Sequence, residues 1–203
     1  MKIALIGATG HAGSRILKEL AHRGHSVTAI VRNPDRIPAL ANVTAIKTDV
    51  HDTPSLAEFL AGHDAVISSV HFLVADAPTF LQAIRRSGVK RYLVVGGAGT
   101  LEIRPGMRVV DTPEFPAAYR GESLAGAAFL ETLRTVSDLD WTFLSPSAEF
   151  VDGSRTGQFR LGENALLIDS QGRSWISYED YAVAMVDELE RPAHIRTRFT
   201  VGY

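Results

Sequence analysis

The chain has 203 residues, enough for one domain with a full core, and its 45% hydrophobic and 22% charged residues are those of an ordinary globular protein. A formal charge of -2 with no basic run gives no footing for nucleic acid or an anionic membrane. The absence of cysteine excludes disulfides, thiolate nucleophiles and cysteine-ligated metal sites. The chain starts on a strand and carries no apolar run long enough to cross a bilayer, so a cytoplasmic location is expected.

The first element is the apolar run Ile3-Ala4-Leu5-Ile6, which meets three glycines, Gly7, Gly10 and Gly13, at spacing G-x-x-G-x-x-G. A helical pattern follows at once in Ile16, Leu17, Leu20 and Ala21. Strand, tight turn and helix is the context in which such glycines bind a dinucleotide. The first lets the chain turn, the second lets backbone approach a pyrophosphate, and the third lets helix and strand pack. Arg23-Gly24-His25 ends the helix, and Ser26–Val31 reads as the second strand.

At the end of that strand an acidic residue would accept from a ribose 2′-hydroxyl, whereas arginine neutralises a 2′-phosphate. Arg32 stands there and favours NADP over NAD, the alternative being a solvated surface arginine. A third strand, Val43–Thr48, leads to Asp49 and Val50, placed to meet an adenine edge and ring unless Asp49 merely caps its turn. The fourth strand, Ala65–Val70, puts Ser68, Ser69 and Val70 near the cofactor's ribose and pyrophosphate. His71, just beyond, reads as a proton donor, a wall of the substrate pocket or a structural histidine.

The fifth strand, Arg91–Val95, runs into Gly96-Gly97-Ala98-Gly99, a stretch that permits close backbone approach to the nicotinamide end or serves as a hinge. Residues 100–116 hold three prolines and weak periodicity, as expected of a substrate mouth or lid. A long helix is predicted from about Ala117 to Val136, with Leu124, Ala128, Phe129, Leu133 and Val136 toward the core. The sixth strand, Asp140–Leu144, exits through Ser145 and Pro146 across the sheet's carboxyl edge. Ala165–Ile168 and Thr197–Val201 read as short strands flanking a helix capped at Ser177, whose apolar face includes Tyr181, Met185 and Leu189. None of the seven histidines forms a metal-binding i, i+4 pair, and no metal is expected.

With the glycine turn, Arg32, Asp49-Val50 and Leu144-Ser145-Pro146 in place, the chain resembles an atypical short-chain dehydrogenase/reductase. More narrowly it is similar to the NmrA-like group, which contains NADH-flavin reductases and biliverdin reductase B-type flavin reductases. The resemblance covers nearly the whole chain. It implies an α/β Rossmann fold, a doubly wound parallel sheet of order 3-2-1-4-5-6, as one NAD(P)-binding domain over residues 1–203, with about 147–203 covering the substrate side. It also implies NADP held by Gly7, Thr9, Gly10, His11, Ala12, Gly13 and Arg32, with Asp49 and Val50 at adenine.

One departure bears on mechanism. Ordinary members pair a tyrosine with a lysine four residues on, and the lysine acidifies the phenol that protonates a carbonyl. Here the segment is Tyr119-Arg120-Gly121-Glu122-Ser123, and the stretch after the fifth strand has no hydroxyl among Gly96, Gly97, Ala98 and Gly99. Hydride transfer to a flavin or quinone demands less of the protein, because the ring delocalises the charge and solvent can supply the proton. The expected activity is therefore NADPH-dependent reduction of a planar small molecule, flavin being a substrate. Gly96, Gly97, Ser145, Pro146, His71, Phe72 and Tyr119 would form the pocket, with Tyr119 and His71 the two candidate proton donors. The competing reading is an NADP-sensing regulatory protein without turnover. Either is compatible with a monomer or a homodimer.

Overall fold

The computed structural model describes residues 1–203, and its centre is strand β1 (Lys2–Ile6), whose successive side chains point to opposite faces. Ile3 and Leu5 enter one apolar cluster, Ala4 and Ile6 the other, and all four are buried. A strand buried on both faces needs helices on both. Helix α1 (His11–His22) and helix α5 (Tyr178–Glu190) cover the first face, while α2 (Thr53–Leu60), α3 (Ala77–Ser87) and α4 (Ala117–Arg134) cover the second.

The remaining strands are β2 (Ser26–Val31), β3 (Val43–Lys47), β4 (Ala65–Ser68), β5 (Arg91–Val95), β6 (Glu102–Arg104), β7 (Met107–Arg108) and β8 (Asp140–Ser145). They are followed by β9 (Glu149–Val151), β10 (Arg160–Gly162), β11 (Trp175–Ser177) and β12 (Thr197–Gly202). The eight-stranded sheet has the order β10-β12-β8-β5-β4-β1-β2-β3, parallel except for β10 against β12. This is the 3-2-1-4-5-6 Rossmann order with two strands added beyond the sixth. The strand order reverses between β1 and β4, and ligands of such sheets bind beyond the carboxyl ends of the strands at that crevice.

Two expectations fail. Ala165–Ile168 is not a strand: Ala165 makes one isolated bridge to Glu102, and the pairing edge is formed earlier, by β10. On α4 the buried face is Gly126, Ala127, Phe129, Leu130 and Leu133, whereas Leu124 and Ala128 are exposed. The segment 124–130 reads Leu-Ala-Gly-Ala-Ala-Phe-Leu, so hydrophobicity alone does not fix its phase. Contact does. A Cβ at Gly126 would stand 2.9 Å from the Phe72 ring, so close approach selects the small residues for the inside.

Residues 100–116 are ordered by the β6–β7 hairpin and by buried Leu101 and Val110. Arg120 donates to the carbonyls of Val110 at 2.9 Å and Thr112 at 3.4 Å, tying the segment to α4. No helix is long and apolar enough to cross a membrane.

Candidate functional site

The glycine turn between β1 and α1 is built as its spacing predicts, each glycine for its own reason. Gly7 has φ +83°, and a Cβ there would lie 2.1 Å from the Ser69 carbonyl oxygen. A Cβ on Gly13 would lie 2.2 Å from the Gly7 carbonyl oxygen, so only glycine lets α1 sit this close to the turn. Gly10 is exposed and its nearest neighbour would be 3.6 Å away, leaving room above it.

Gly10 is also the residue before α1, and the helix has neither a side-chain cap nor an acidic residue in its first turn. In α2, α3 and α5 the corresponding N–H groups are taken by Asp52, Asp76 and Ser177. The open N–H groups of α1, reinforced by the helix dipole, are complementary to a phosphate, and the turn fits a dinucleotide's pyrophosphate. Ala12 is buried and offers only backbone. Thr9 is half-buried and His11 is exposed.

At the other end of the cleft, the register Val31↔Lys47 sets the ends of β2 and β3 side by side. A hollow of about 460 Å³ opens there, lined by Arg32, Lys47, Thr48, Asp49, Asp52, Ser55 and Phe59. Arg32 and Asp49 are thus brought together, with Lys47 as a second cation that strand-by-strand reading misses. Asp49 does cap its turn, accepting the His51 N–H at 3.0 Å through Oδ1. Val50 is half-buried against the core.

Among the ends of β4, β5 and β8, burial turns some of the expected side chains away from the cleft. The Ser68 hydroxyl points inward and shares a 2.8 Å hydrogen bond with the Tyr92 hydroxyl, so it does not face the cleft. Ser145 is fully buried, its Oγ has no hydrogen-bond partner, and its carbonyl accepts from Thr200 Oγ1 at 2.9 Å. Pro146 is buried beside it. All three are buried in the sheet's carboxyl edge. Gly96 lacks a side chain because a Cβ would be 2.3 Å from the Phe143 ring, which is a packing reason. Gly97 has nothing within 4 Å of that position and is open to approach. Ser69 and Val70 lie against Gly7 and form the side of the turn.

The other half of the cleft is framed by α4 and by the residues after β8. Tyr119 is 66% exposed, and Arg120 beside it is occupied with backbone carbonyls. Glu122 accepts the N–H groups of Phe72 at 2.7 Å and Leu73 at 3.1 Å, and its Oε1 is 3.3 Å from His71 Nδ1. Phe72 is wedged between Phe129 and Phe143, at ring-centroid distances of 5.1 and 5.9 Å. Ser123 packs on Gly99, where a Cβ would meet its Cβ at 2.7 Å.

On the opposite side Tyr178 stacks on His11 at 5.3 Å and packs on Phe150 at 4.3 Å. Burial and then the Asp152 carboxylate push the Tyr178 phenol above its usual range, so it stays protonated. Arg15 bonds Glu179 at 3.0 Å and also pairs with Asp152, joining the wall to α1. Tyr178, Phe150 and Glu122 have no local sequence signal that marks them as part of the site. Tyr178 follows the visible cap Ser177, but its role depends on the distant His11.

Residues 7–192 match the model of a protein family described as NAD(P)H-binding. The chain belongs to this NAD(P)H-binding family. It is 40% identical to the protein YwnB of Bacillus subtilis (strain 168), over 99% of this chain and 98% of that one. Among solved structures it is similar to a "putative epimerase" from Bacteroides thetaiotaomicron, with 42% identity, TM-score 0.95 and coverage of 100% of this chain and 96% of that one. It is also similar to a "putative NADH-flavin reductase" from Streptococcus pneumoniae TIGR4, with 37% identity, TM-score 0.87 and coverage of 100% and 99%. Family model and neighbours agree with the resemblance to the atypical short-chain dehydrogenases/reductases, and the property they share with this chain is an NAD(P)H-binding Rossmann fold.

Proposed function

We propose that the protein is an NADPH-dependent oxidoreductase that passes hydride to a planar acceptor, a flavin or a quinone, without a tyrosine–lysine pair. Residues 1–203 act as one nucleotide-binding unit, with 147–203 covering the acceptor side. Gly7, Thr9, Gly10, His11, Ala12 and Gly13 hold the pyrophosphate, largely through backbone N–H groups. Arg32 and Lys47 take the 2′-phosphate, and Asp49 and Val50 meet the adenine. The nicotinamide would supply the hydride, Gly97 leaves backbone room for it, and Ser69 and Val70, against Gly7, lie at the ribose and pyrophosphate.

The observation that carries this reading is the surroundings of Tyr119. The position four residues on is Ser123, packed against Gly99, and Arg120 is turned to the carbonyls of Val110 and Thr112. Neither position supplies the cation that carbonyl reduction or sugar epimerisation places beside the phenol. Aromatic walls suit a planar ring that needs stacking more than protonation by a strong acid. The resemblance to the Streptococcus pneumoniae protein supports the same acceptor class.

The test is NADPH oxidation by the purified protein, followed by the loss of nicotinamide absorbance, with FMN, FAD, riboflavin and a small quinone in turn and NADH as control. Turnover favouring NADPH is expected. Tight NADPH binding without turnover on any acceptor overturns the proposal and leaves a nucleotide sensor.

A further inference from the structure

We propose that His71 and Glu122 form the proton-delivery pair of this site, His71 giving the proton to the reduced acceptor and Glu122 acting as its positioning residue. The inference rests on the hydride-transfer reading above and names the source of the proton that reading leaves to solvent.

One carboxylate makes three contacts to one turn. Glu122 accepts from the backbone of Phe72 and Leu73 and lies 3.3 Å from the ring of His71. The turn follows β4 directly, at the carboxyl edge where the cofactor crevice opens, and Gly126 under the Phe72 ring holds it down. Glu122 is therefore fixed, with its side chain 29% exposed, while the His71 side chain is 82% exposed. A neutral imidazole carries one N–H, and a carboxylate beside Nδ1 selects the tautomer with the proton there. The outward nitrogen, Nε2, is then the one that exchanges protons with the cleft.

The two phenols of the site are poorer donors. Tyr178 is held protonated by burial and by Asp152, and the Arg120 guanidinium next to Tyr119 is engaged with the carbonyls of Val110 and Thr112. The balance of the step is simple. Hydride brings two electrons to the acceptor. The resulting anion takes the proton from Nε2 of the His71 imidazolium, the N–H electron pair stays on Nε2, and the neutral ring keeps its Nδ1 proton toward Glu122. Solvent then reprotonates Nε2, so the sum is NADPH, one proton and acceptor giving NADP and the two-electron-reduced acceptor.

Two measurements test the pair separately. In ring ¹⁵N NMR of the nucleotide-free protein, His71 should show the Nδ1–H tautomer, and Glu122→Gln should weaken that preference because an amide oxygen is a poorer acceptor than a carboxylate. An Nε2–H tautomer in the unsubstituted protein overturns the pair whether or not any acceptor turns over. In single-turnover kinetics, which exclude product release, His71→Ala should slow acceptor reduction about 100-fold, with partial rescue by added imidazole and unchanged NADPH affinity. Glu122→Gln should slow it about tenfold, also with unchanged NADPH affinity. A His71→Ala rate within about twofold of the parent means solvent supplies the proton and overturns the proposal. Failure of the unsubstituted protein to reduce any acceptor instead removes the parent reading, while the NMR result still stands.

Discussion

A Cβ built on Gly13 would stand 2.2 Å from the carbonyl oxygen of Gly7, a backbone atom that cannot move aside without opening the turn. Gly10, between them, would meet nothing nearer than 3.6 Å. The two substitutions should therefore separate folding from binding. Gly13→Ala is expected to destabilise by about 2 kcal/mol through overpacking, a fall of several degrees in Tm for a chain of this size. Gly10→Ala should leave Tm within about a degree and weaken NADPH at least tenfold, because its methyl occupies the space of the pyrophosphate. Thermal melts with and without nucleotide decide it. Equal melting temperatures for the two variants would contradict the packing assigned to Gly13.

Arg32 and Lys47 stand together because Val31 and Lys47 are partners in the β2–β3 ladder. Charge-assisted hydrogen bonds to a phosphate contribute about 1.5–3 kcal/mol, or about 10- to 100-fold in affinity. Arg32→Glu should weaken NADPH by about 100-fold and leave NADH within about threefold, since only NADPH carries the 2′-phosphate. Lys47→Ala should cost NADPH about fivefold with the same selectivity, the smaller effect of a point charge without a fork of donors. Fluorescence titration with both nucleotides reads the difference. Equal losses for NADPH and NADH would remove the 2′-phosphate assignment.

Tyr119 has an unencumbered position on α4 and is 66% exposed. If hydride transfer runs without a tyrosine acid, Tyr119→Phe should change kcat by less than about twofold, raising acceptor KM only slightly through lost edge contacts. A fall in kcat of about 100-fold or more would restore the phenol as the proton donor and count against His71.

The parts of the site legible in the sequence are those whose chemistry is local. Gly7, Gly10 and Gly13 act within one strand–turn–helix, and Arg32 is defined by its place at a strand end. The parts missed depend on contacts between distant segments. Lys47 needs the β2–β3 register, Glu122 needs a turn fifty residues earlier, and Tyr178 needs His11. Ser68 and Ser145 sit at the right strand ends, but burial turns both hydroxyls away from the cleft. The sheet core was legible because strands buried on both faces read as continuous apolar runs. The edge was not: Ala165–Ile168 is apolar enough for a strand, yet Ala165 and Ile168 are exposed and β10 takes the pairing position.

Away from the cleft, Glu188 in the last turn of α5 joins Arg91 of β5 at 2.9 Å and the ring of His194 at 2.8 Å. It also accepts the N–H groups of Ala193 and His194. Burial by itself would raise the carboxyl's pKa, and it is the largest single influence. The hydrogen bonds from His194 and Ala193 and the Arg91 charge together outweigh it and hold the group below the ordinary 4.5. A carboxylate depressed in the folded state stabilises fully above its unfolded value and loses that contribution as pH falls through its folded value. Glutamine is a near-isosteric mimic of the protonated acid, so the two proteins should converge in acid. At neutral pH Glu188→Gln leaves the buried Arg91 without its carboxylate and should cost about 3 kcal/mol, roughly 6–12 °C in Tm. The gap should shrink as the pH is lowered below 4.5. Melting curves of both proteins across that range test this. A gap that stays constant with pH would mean that the substitution acts through packing and that the ionised carboxylate contributes nothing of its own.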